Sequence, residues 1–284
     1  MASLVPPFLS EFKGKASFPM VVASPHAGTF YPERLFALTD LPFEKLQKFE
    51  DVAVDRLFSF VPSFGIPFVK ATHARVWVDL NRHPLDLDPS MYVDSLPAGA
   101  LTDSPRVLAG FGVIPKLLDP ETPVYRHKLR FSVEKERLTD IHVPYHAEIG
   151  RLIEKNLDRF GRNLLLDVHS MPDLPPDRRI KGKTPDFVLG DVNGKTCPAP
   201  LVAALAEFLR SCGYFVTVDL PYSGAYTTLC YGVPAKRSYT LQIEVARHLY
   251  WEADSYKKTA GFDTVWRHLS QAVLFVANRM AEND

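Results

Sequence analysis

Cysteine is scarce in this chain. The 284 residues include three, Cys197, Cys212 and Cys230. That odd number, with no C-x-x-C spacing, argues against a disulfide framework or a cysteine-rich zinc site. No apolar run approaches the ~18 residues that span a bilayer. The opening MASLVPPFLSEFKGK lacks a long apolar stretch after a basic start, so no secretory signal is read and the cytoplasm is the expected location. Charge of one sign is missing as well. Lys+Arg and Asp+Glu are equal at 33 each, so no global field draws the chain to nucleic acid or to an anionic membrane. Any bound anion needs a local site. There is no glycine-rich phosphate loop and no G-x-S-x-G elbow, which removes the usual support for phosphoryl transfer and serine-hydrolase chemistry. Internal repeats and low-complexity tracts are absent too.

What remains is the composition of a soluble enzyme with a sizeable core, 46% hydrophobic and 23% charged. The length suits one large α/β domain or two small ones. Short apolar runs read as strands at Phe18 to Ala23, Pro67 to Ala71, Arg75 to Leu80, Leu165 to Val168, Phe187 to Leu189, Tyr214 to Leu220 and Tyr239 to Ala246. Helical spacing of three and four appears over residues 43 to 60, with Phe43, Leu46, Phe49, Ala53, Leu57 and Phe60 on one stripe. It returns over Tyr145 to Phe160, stopped by Gly161, over Pro198 to Arg210 and over Thr264 to Met280. Residues 82 to 123 are dense in Pro, Asp and Gly and read as an extended loop region. Helices alternating with short apolar strands predict a three-layer α/β/α fold around a mostly parallel sheet. Strand ends on such a sheet face a common crevice where ligands bind.

Several polar residues follow or interrupt these strands. His26 stands in S-P-H-A-G, where Gly28 allows a tight turn. His169 stands in D-V-H-S, two residues after Asp167 and on the same strand face, so Asp167 either orients the imidazole or caps a turn. A catalytic zinc needs three protein ligands and an open position. Asp51 and Asp55, four apart in E-D-V-A-V-D, both qualify as the third, against the plainer reading of a solvated acidic face. Glu244 breaks the apolar strand L-Q-I-E-V-A and shares a face with Gln242. It reads either as a general base or as the wet face of an edge strand, the latter slightly favoured by sequence alone. Arg75, Asn81 and Arg82, in R-V-W-V-D-L-N-R, offer donors for a carboxylate, although an arginine at a strand's end reads equally as a surface charge.

In this order the segments S-P-H-A-G (24 to 28), E-D-V-A-V-D-R-L-F (50 to 58), R-V-W-V-D-L-N-R (75 to 82), P-Y-H (144 to 146), D-V-H-S (167 to 170), D-F-V-L-G-D-V-N-G (186 to 194), P-Y-S-G-A-Y-T-T (221 to 228) and L-Q-I-E (241 to 244) resemble the N-formylglutamate amidohydrolase family. The resemblance runs from about residue 20 to residue 252. It implies a single catalytic domain over residues 1 to 284, a fold like the zinc carboxypeptidases, and one zinc ion held by His26, Asp51 and His169. It also implies Glu244 as general base and acid, while Arg75 reads either as a catalytic group that polarises the substrate carbonyl or as a hold for a second carboxylate. Asn81 and Arg82 would hold the substrate carboxylate, with His146, Tyr226 and Thr228 as further substrate contacts.

The implied activity is hydrolysis of an N-acyl amino acid such as N-formyl-L-glutamate, a small-molecule substrate, with a place in histidine degradation. One departure stands out: where the family shows G-G-x-x-T-R, this chain has Ser223-Gly224-Ala225-Tyr226-Thr227-Thr228-Leu229. Losing arginine at 229 removes a possible anion contact. Competing readings are a carboxypeptidase- or deacylase-like zinc hydrolase on a larger acyl group, and a non-catalytic module that binds amino-acid carboxylates.

Overall fold

The computed structural model describes residues 5–12, 14–253 and 255–282. The strands, in chain order, are β1 (Phe8–Glu11), β2 (Met20–Ser24), β3 (Phe68–Ala71), β4 (Leu117–Asp119), β5 (Thr122–Pro123), β6 (Asn163–Met171), β7 (Phe187–Gly190), β8 (Val216–Val218), β9 (Ser238–Ala246), β10 (Trp251–Glu252) and β11 (Lys257–Lys258). Seven of them form one sheet in the order β1-β3-β2-β6-β9-β7-β8. The pairs β2–β6, β6–β9 and β7–β8 are parallel, and β7–β9 is antiparallel. The mostly parallel sheet expected from the alternation of elements is therefore present. Strands covered on both faces read as continuous apolar runs, and β2 and β6 are buried at every position.

The chain divides into two compact units. One takes in the residues up to Leu9, Pro25–Glu50 and Lys70–Glu148, the other Ser10–Ser24, Asp51–Val69 and everything from Ile149 onward. The second unit contains β2, β6, β7, β8 and β9. Its helices Ala199–Ser211 and Phe262–Ala281 pack through stacked Phe208 and Phe275 rings 5.2 Å apart. Trp266 of the latter helix meets the Phe60 ring edge-on and donates its indole N–H to Ser59. The helix Val143–Phe160 carries Asn156 inward. The Asn156 amide donates to the Met20 carbonyl at 3.2 Å and to Asn163 Oδ1 at 2.8 Å, tying the helix to the first residues of β2 and β6. No helix among the described residues is long and apolar enough to cross a membrane.

The first unit is built mainly of turns around a buried arginine. The Arg137 guanidinium lies 3.4 Å from the Trp77 ring centroid. It donates to the Trp77 carbonyl at 3.0 Å and to the Tyr125 hydroxyl at 2.7 Å, and it pairs with Glu134. A charge this deep is tolerable because it is both paired and hydrogen-bonded.

Two local expectations are corrected. The apolar run Arg75 to Leu80 is a buried turn rather than a strand: Trp77 N–H donates to the Ala74 carbonyl and Asp79 N–H to the Val113 carbonyl. Its apolar alternation reflects burial around Arg137, not sheet pairing. Residues 43 to 60 do not form one helix but two short ones, Phe43–Gln47 and Val54–Leu57. Between them Ala53 takes a left-handed φ of 55°, which ends helical continuity at the position of Asp51.

Replacing Asn156 with Ala leaves the Met20 carbonyl and Asn163 without this partner in a dry site. The loss is expected to be about 1–3 kcal/mol, the cost of stranding a buried polar group. Urea unfolding of Asn156→Ala checks it, and an unchanged midpoint would show that the helix does not depend on this bond.

Candidate active site

Strands β6 and β9 run side by side with His169 opposite Glu244 and Asp167 opposite Gln242. Residues two apart on a strand share a face, so these four side chains stand together on one face of the sheet. Gln242 donates its amide to Glu244 Oε1 at 2.7 Å. His169 is held from both sides: Nε2 lies 3.1 Å from Asp167 Oδ2, and Nδ1 donates to Asp51 Oδ2 at 2.8 Å. Burial pulls the His169 pKa down, but Asp167, Asp51 and Glu244 outweigh it and hold the imidazole well above its usual range. An imidazole ringed by three acids marks a pocket with surplus negative charge.

Asp51 reaches His169 because it sits in the break before Val54–Leu57. The Val52 carbonyl there accepts a 2.8 Å hydrogen bond from the Tyr250 hydroxyl, which pins the backbone. The second Asp51 oxygen, Oδ1, lies 3.5 Å from Arg247 Nη2, and Arg247 Nε donates to Ser170 Oγ at 3.0 Å.

In the first unit, a second cluster is organised by Asp79, which is fully buried. An ionised carboxylate only accepts, so the 2.7 Å contact makes His26 Nε2 the donor to Asp79 Oδ1. Asn81 N–H donates to the same oxygen at 2.9 Å, Arg75 Nε donates to Oδ2 at 2.9 Å, and Arg82 Nη2 lies 3.6 Å from Oδ2. Burial pushes the Asp79 carboxyl up, but Arg75, Arg82 and His26 reverse that and hold it well below the usual range. Arg82 also donates through Nε to the Phe111 carbonyl and through Nη1 to the Asn81 carbonyl. Burial brings its pKa down to about 10. Gly28 is needed beside His26: a Cβ there would fall 2.2 Å from the His73 carbonyl oxygen.

One ligand atom each from His26, Asp51 and His169 lies within 4.8 Å of the others, and all three residues are buried. Two imidazoles and one carboxylate are the donor set of a catalytic dication that keeps an open position. Each imidazole has Nε2 against a carboxylate, Asp79 for His26 and Asp167 for His169, the outer support that metal-binding histidines use. By donor chemistry the residues fit a divalent ion.

A family model described as N-formylglutamate amidohydrolase matches residues 18–251. The chain belongs to the N-formylglutamate amidohydrolase family. It is 30% identical over 276 residues to an N-formylglutamate deformylase of Pseudomonas putida, covering 94% of this chain and 95% of that protein. A second N-formylglutamate deformylase, from Pseudomonas aeruginosa, is 29% identical over 245 residues, 82% of each chain. Among solved structures, the crystal structure of N-formylglutamate amidohydrolase from Ralstonia eutropha JMP134 superposes with a TM-score of 0.91 at 35% identity. It covers 97% of this chain and 99% of that one. A protein from Agrobacterium tumefaciens shares the fold at a TM-score of 0.63 and 17% identity.

The remaining residues that the family resemblance pointed to are distributed unevenly. Asp55 lies inside the helix Val54–Leu57 and outside the candidate ligand cluster. His146 donates to the Leu80 carbonyl at 2.8 Å, and burial lowers its pKa to about 3, so it is a neutral prop under the Asn81–Arg82 turn. Thr228 Oγ1 accepts from Ala225 N–H at 3.2 Å at the start of the helix Tyr226–Tyr231, on which Tyr226 is the first residue. Leu229, the departure from the family pattern, is exposed. Glu244 is not on an edge strand, since β9 lies between β6 and β7. Asp79 and Arg247 escaped the sequence reading. The signal for Asp79 was an acid at i+4 from Arg75 and three before Arg82, inside an apolar run. Arg247 carried no signal beyond standing three residues after Glu244.

Asp173 and Asp186, near the two ends of the connection from β6 to β7, both meet His248. Its Nδ1 is 2.6 Å from Asp173 and its Nε2 is 3.5 Å from Asp186. Hydrogen bonding to Asp186 is the main reason its pKa is raised above 6.5. A raised folded-state pKa stabilises fully below the unfolded value and is lost as pH rises through the folded one. The pair is exposed, so its worth is at most about 1 kcal/mol. The stability gap between the unmodified protein and His248→Ala should therefore be full below about pH 6.5 and shrink as the pH rises above it. A gap constant with pH would reduce His248 to a packing residue.

Proposed function

We propose that the chain acts as one catalytic domain, a zinc-dependent amidohydrolase that cleaves N-formyl-L-glutamate or a close N-formyl amino acid to formate and the amino acid. The observation that carries this reading is the buried His26, Asp51 and His169 cluster, with Glu244 in register beside His169, in a member of this family. Unbroken family similarity over residues 18–251 supports a single domain.

His26 would ligate through Nδ1, since its Nε2 is engaged by Asp79, and His169 through Nδ1, the nitrogen that faces the other candidate ligand, Asp51. When bound, the ion would act as a Lewis acid on the formyl carbonyl and lower the pKa of a water to about 7. Glu244, oriented by Gln242, takes the proton of the attacking water as the oxygen bonds to the formyl carbon. It then delivers that proton to the amino nitrogen as the C–N bond breaks, and the second proton of the water passes from the acid product to the amine, so formate and an ammonium group leave. Arg75, with its side chain partly exposed, offers positive charge to the carbonyl oxygen as it gains electrons. Asn81 and Arg82 hold the α-carboxylate. Arg82 is already fixed by the Phe111 and Asn81 carbonyls, so little rotamer freedom is lost on binding. His146 supports that turn from behind, and Tyr226 and Thr228 contribute to the far side of the substrate.

Formate release from N-formyl-L-glutamate, N-acetyl-L-glutamate and a short peptide tests the reading, together with metal analysis of the purified protein. Turnover of the formyl substrate that is abolished by a chelator and restored by zinc is expected. Faster turnover of the acetyl or peptide substrate would transfer the enzyme to a different acyl class, and a metal-free active protein would end the zinc assignment.

Glu244→Gln should keep the metal and lose at least about 100-fold in kcat, the lower range for general acid-base catalysis. His169→Ala should lose metal and activity together. A Glu244→Gln enzyme with nearly normal kcat would take Glu244 out of the proton transfer.

A further inference from the structure

The acids around His169 leave a question that the ligand set does not answer. Asp51, Asp167 and Glu244 are three carboxylates in one buried region, and a divalent ion neutralises only two. Arg247 is the cation that faces them among the contacts described above. It lies in the short turn directly after β9, Arg247–Leu249, three residues beyond Glu244. Its Nη2 is 3.5 Å from Asp51 Oδ1, and its Nε donates to Ser170, the neighbour of His169 on β6. Asp51 Oδ2 is the oxygen that meets His169. One guanidinium thus joins the three chain segments that carry Asp51, His169 and Glu244.

We infer that Arg247 is a positioning residue for the metal centre: it holds Asp51 Oδ1 away from the ion, so that Asp51 ligates through Oδ2 alone. The inference rests on the zinc reading above and extends it to a residue with no assigned role. Two consequences follow from the geometry. A carboxylate steered by a fixed fork cannot swing to bind through both oxygens, so a coordination position stays open for water and substrate. The arginine charge also closes the local balance, since the ion and Arg247 together carry as many positive charges as Asp51, Asp167 and Glu244 carry negative ones. Only arginine can do both. Its planar fork reaches two acceptors on separate elements, while lysine is a point charge.

The test is zinc affinity, measured by competition with a chromophoric chelator on the full chain stripped of metal and reloaded. Arg247→Ala should weaken zinc binding by roughly 10- to 100-fold, the usual effect of removing a group that orients a metal ligand. Arg247→Lys should recover part of it, and Ser170→Ala should show a smaller loss. Circular dichroism and thermal melting of the metal-free proteins separate this from simple unfolding. Should Arg247→Ala fail to fold, Arg247→Gln keeps the stem and a donor at the place of Nε for Ser170 without the charge or the reach to Asp51, and the same loss of affinity is expected. Folded Arg247 variants with unaltered zinc affinity would overturn the inference. So would a rise in KM with zinc affinity unchanged, which would make Arg247 a substrate contact. If the unmodified protein itself binds no zinc, the proposed function fails first, and the two failures are distinguishable.

Discussion

The parallel register of β6 against β9 is the constraint from which the site follows. It sets His169 beside Glu244 and Asp167 beside Gln242. Because side chains alternate along a strand, a slip of one residue by either strand would turn its two polar residues into the layer opposite the other two. The register is secured by burial at every position of β6 and at nearly every position of β9. Leu164, Leu166, Leu241 and Ile243 lie together on the face opposite the polar four, and a one-residue slip would part them. The chemistry therefore draws its precision from the core, and the polar residues are passengers on strands whose apolar neighbours fix them.

Carrying charged groups into that core has a cost, and each is met by local pairing. Asp79 gathers His26, Arg75, Arg82 and the Asn81 amide around one carboxylate. Arg137 is sandwiched with Trp77 and paired with Glu134. A buried pair of this kind adds little net stability over a well-packed apolar substitute, whereas removing one partner is severe. Such networks make sense as fixtures that hold functional groups in one orientation, with the hydrophobic core supplying the stability.

Much of this was legible in the sequence, for physical reasons that differ by element. Strands β2, β6, β7 and β9 were readable because each is a short apolar run closed by polar residues. The helices ending at Phe160 and near Met280 were readable because one face repeats every three to four residues. Asp167 was legible as the support for His169 because two-residue spacing on a strand is a direct geometric statement. Arg75 to Leu80 was misread because a turn buried around Arg137 shows the same alternation as a strand. The helix break at Asp51 was invisible because Ala53 gives no sign of a left-handed backbone; the Tyr250 bond to Val52 that holds it spans almost two hundred positions. Glu244 looked like an edge residue because a carboxylate inside a strand is costly unless a site requires it, and only the strand order shows that β9 is interior. Asp79 and Arg247 act through partners far away in sequence, which no local pattern encodes.

The reversal of direction between β9 and β7, which β8 shares, has a consequence of its own. Because β7 runs opposite to β9 and β6, the chain leaving β6 need not travel back beneath the sheet to begin β7. It stays at one end and arches across the finish of β9, where His248 meets Asp173 and Asp186 and Ala246 N–H meets the Asp186 carbonyl. An arch anchored at both feet is thermodynamically cheap to lengthen, since doubling a flexible loop costs only about 0.6 kcal/mol. The connection between β6 and β7 can accordingly be lengthened or trimmed while leaving the register of β6 and β9 intact.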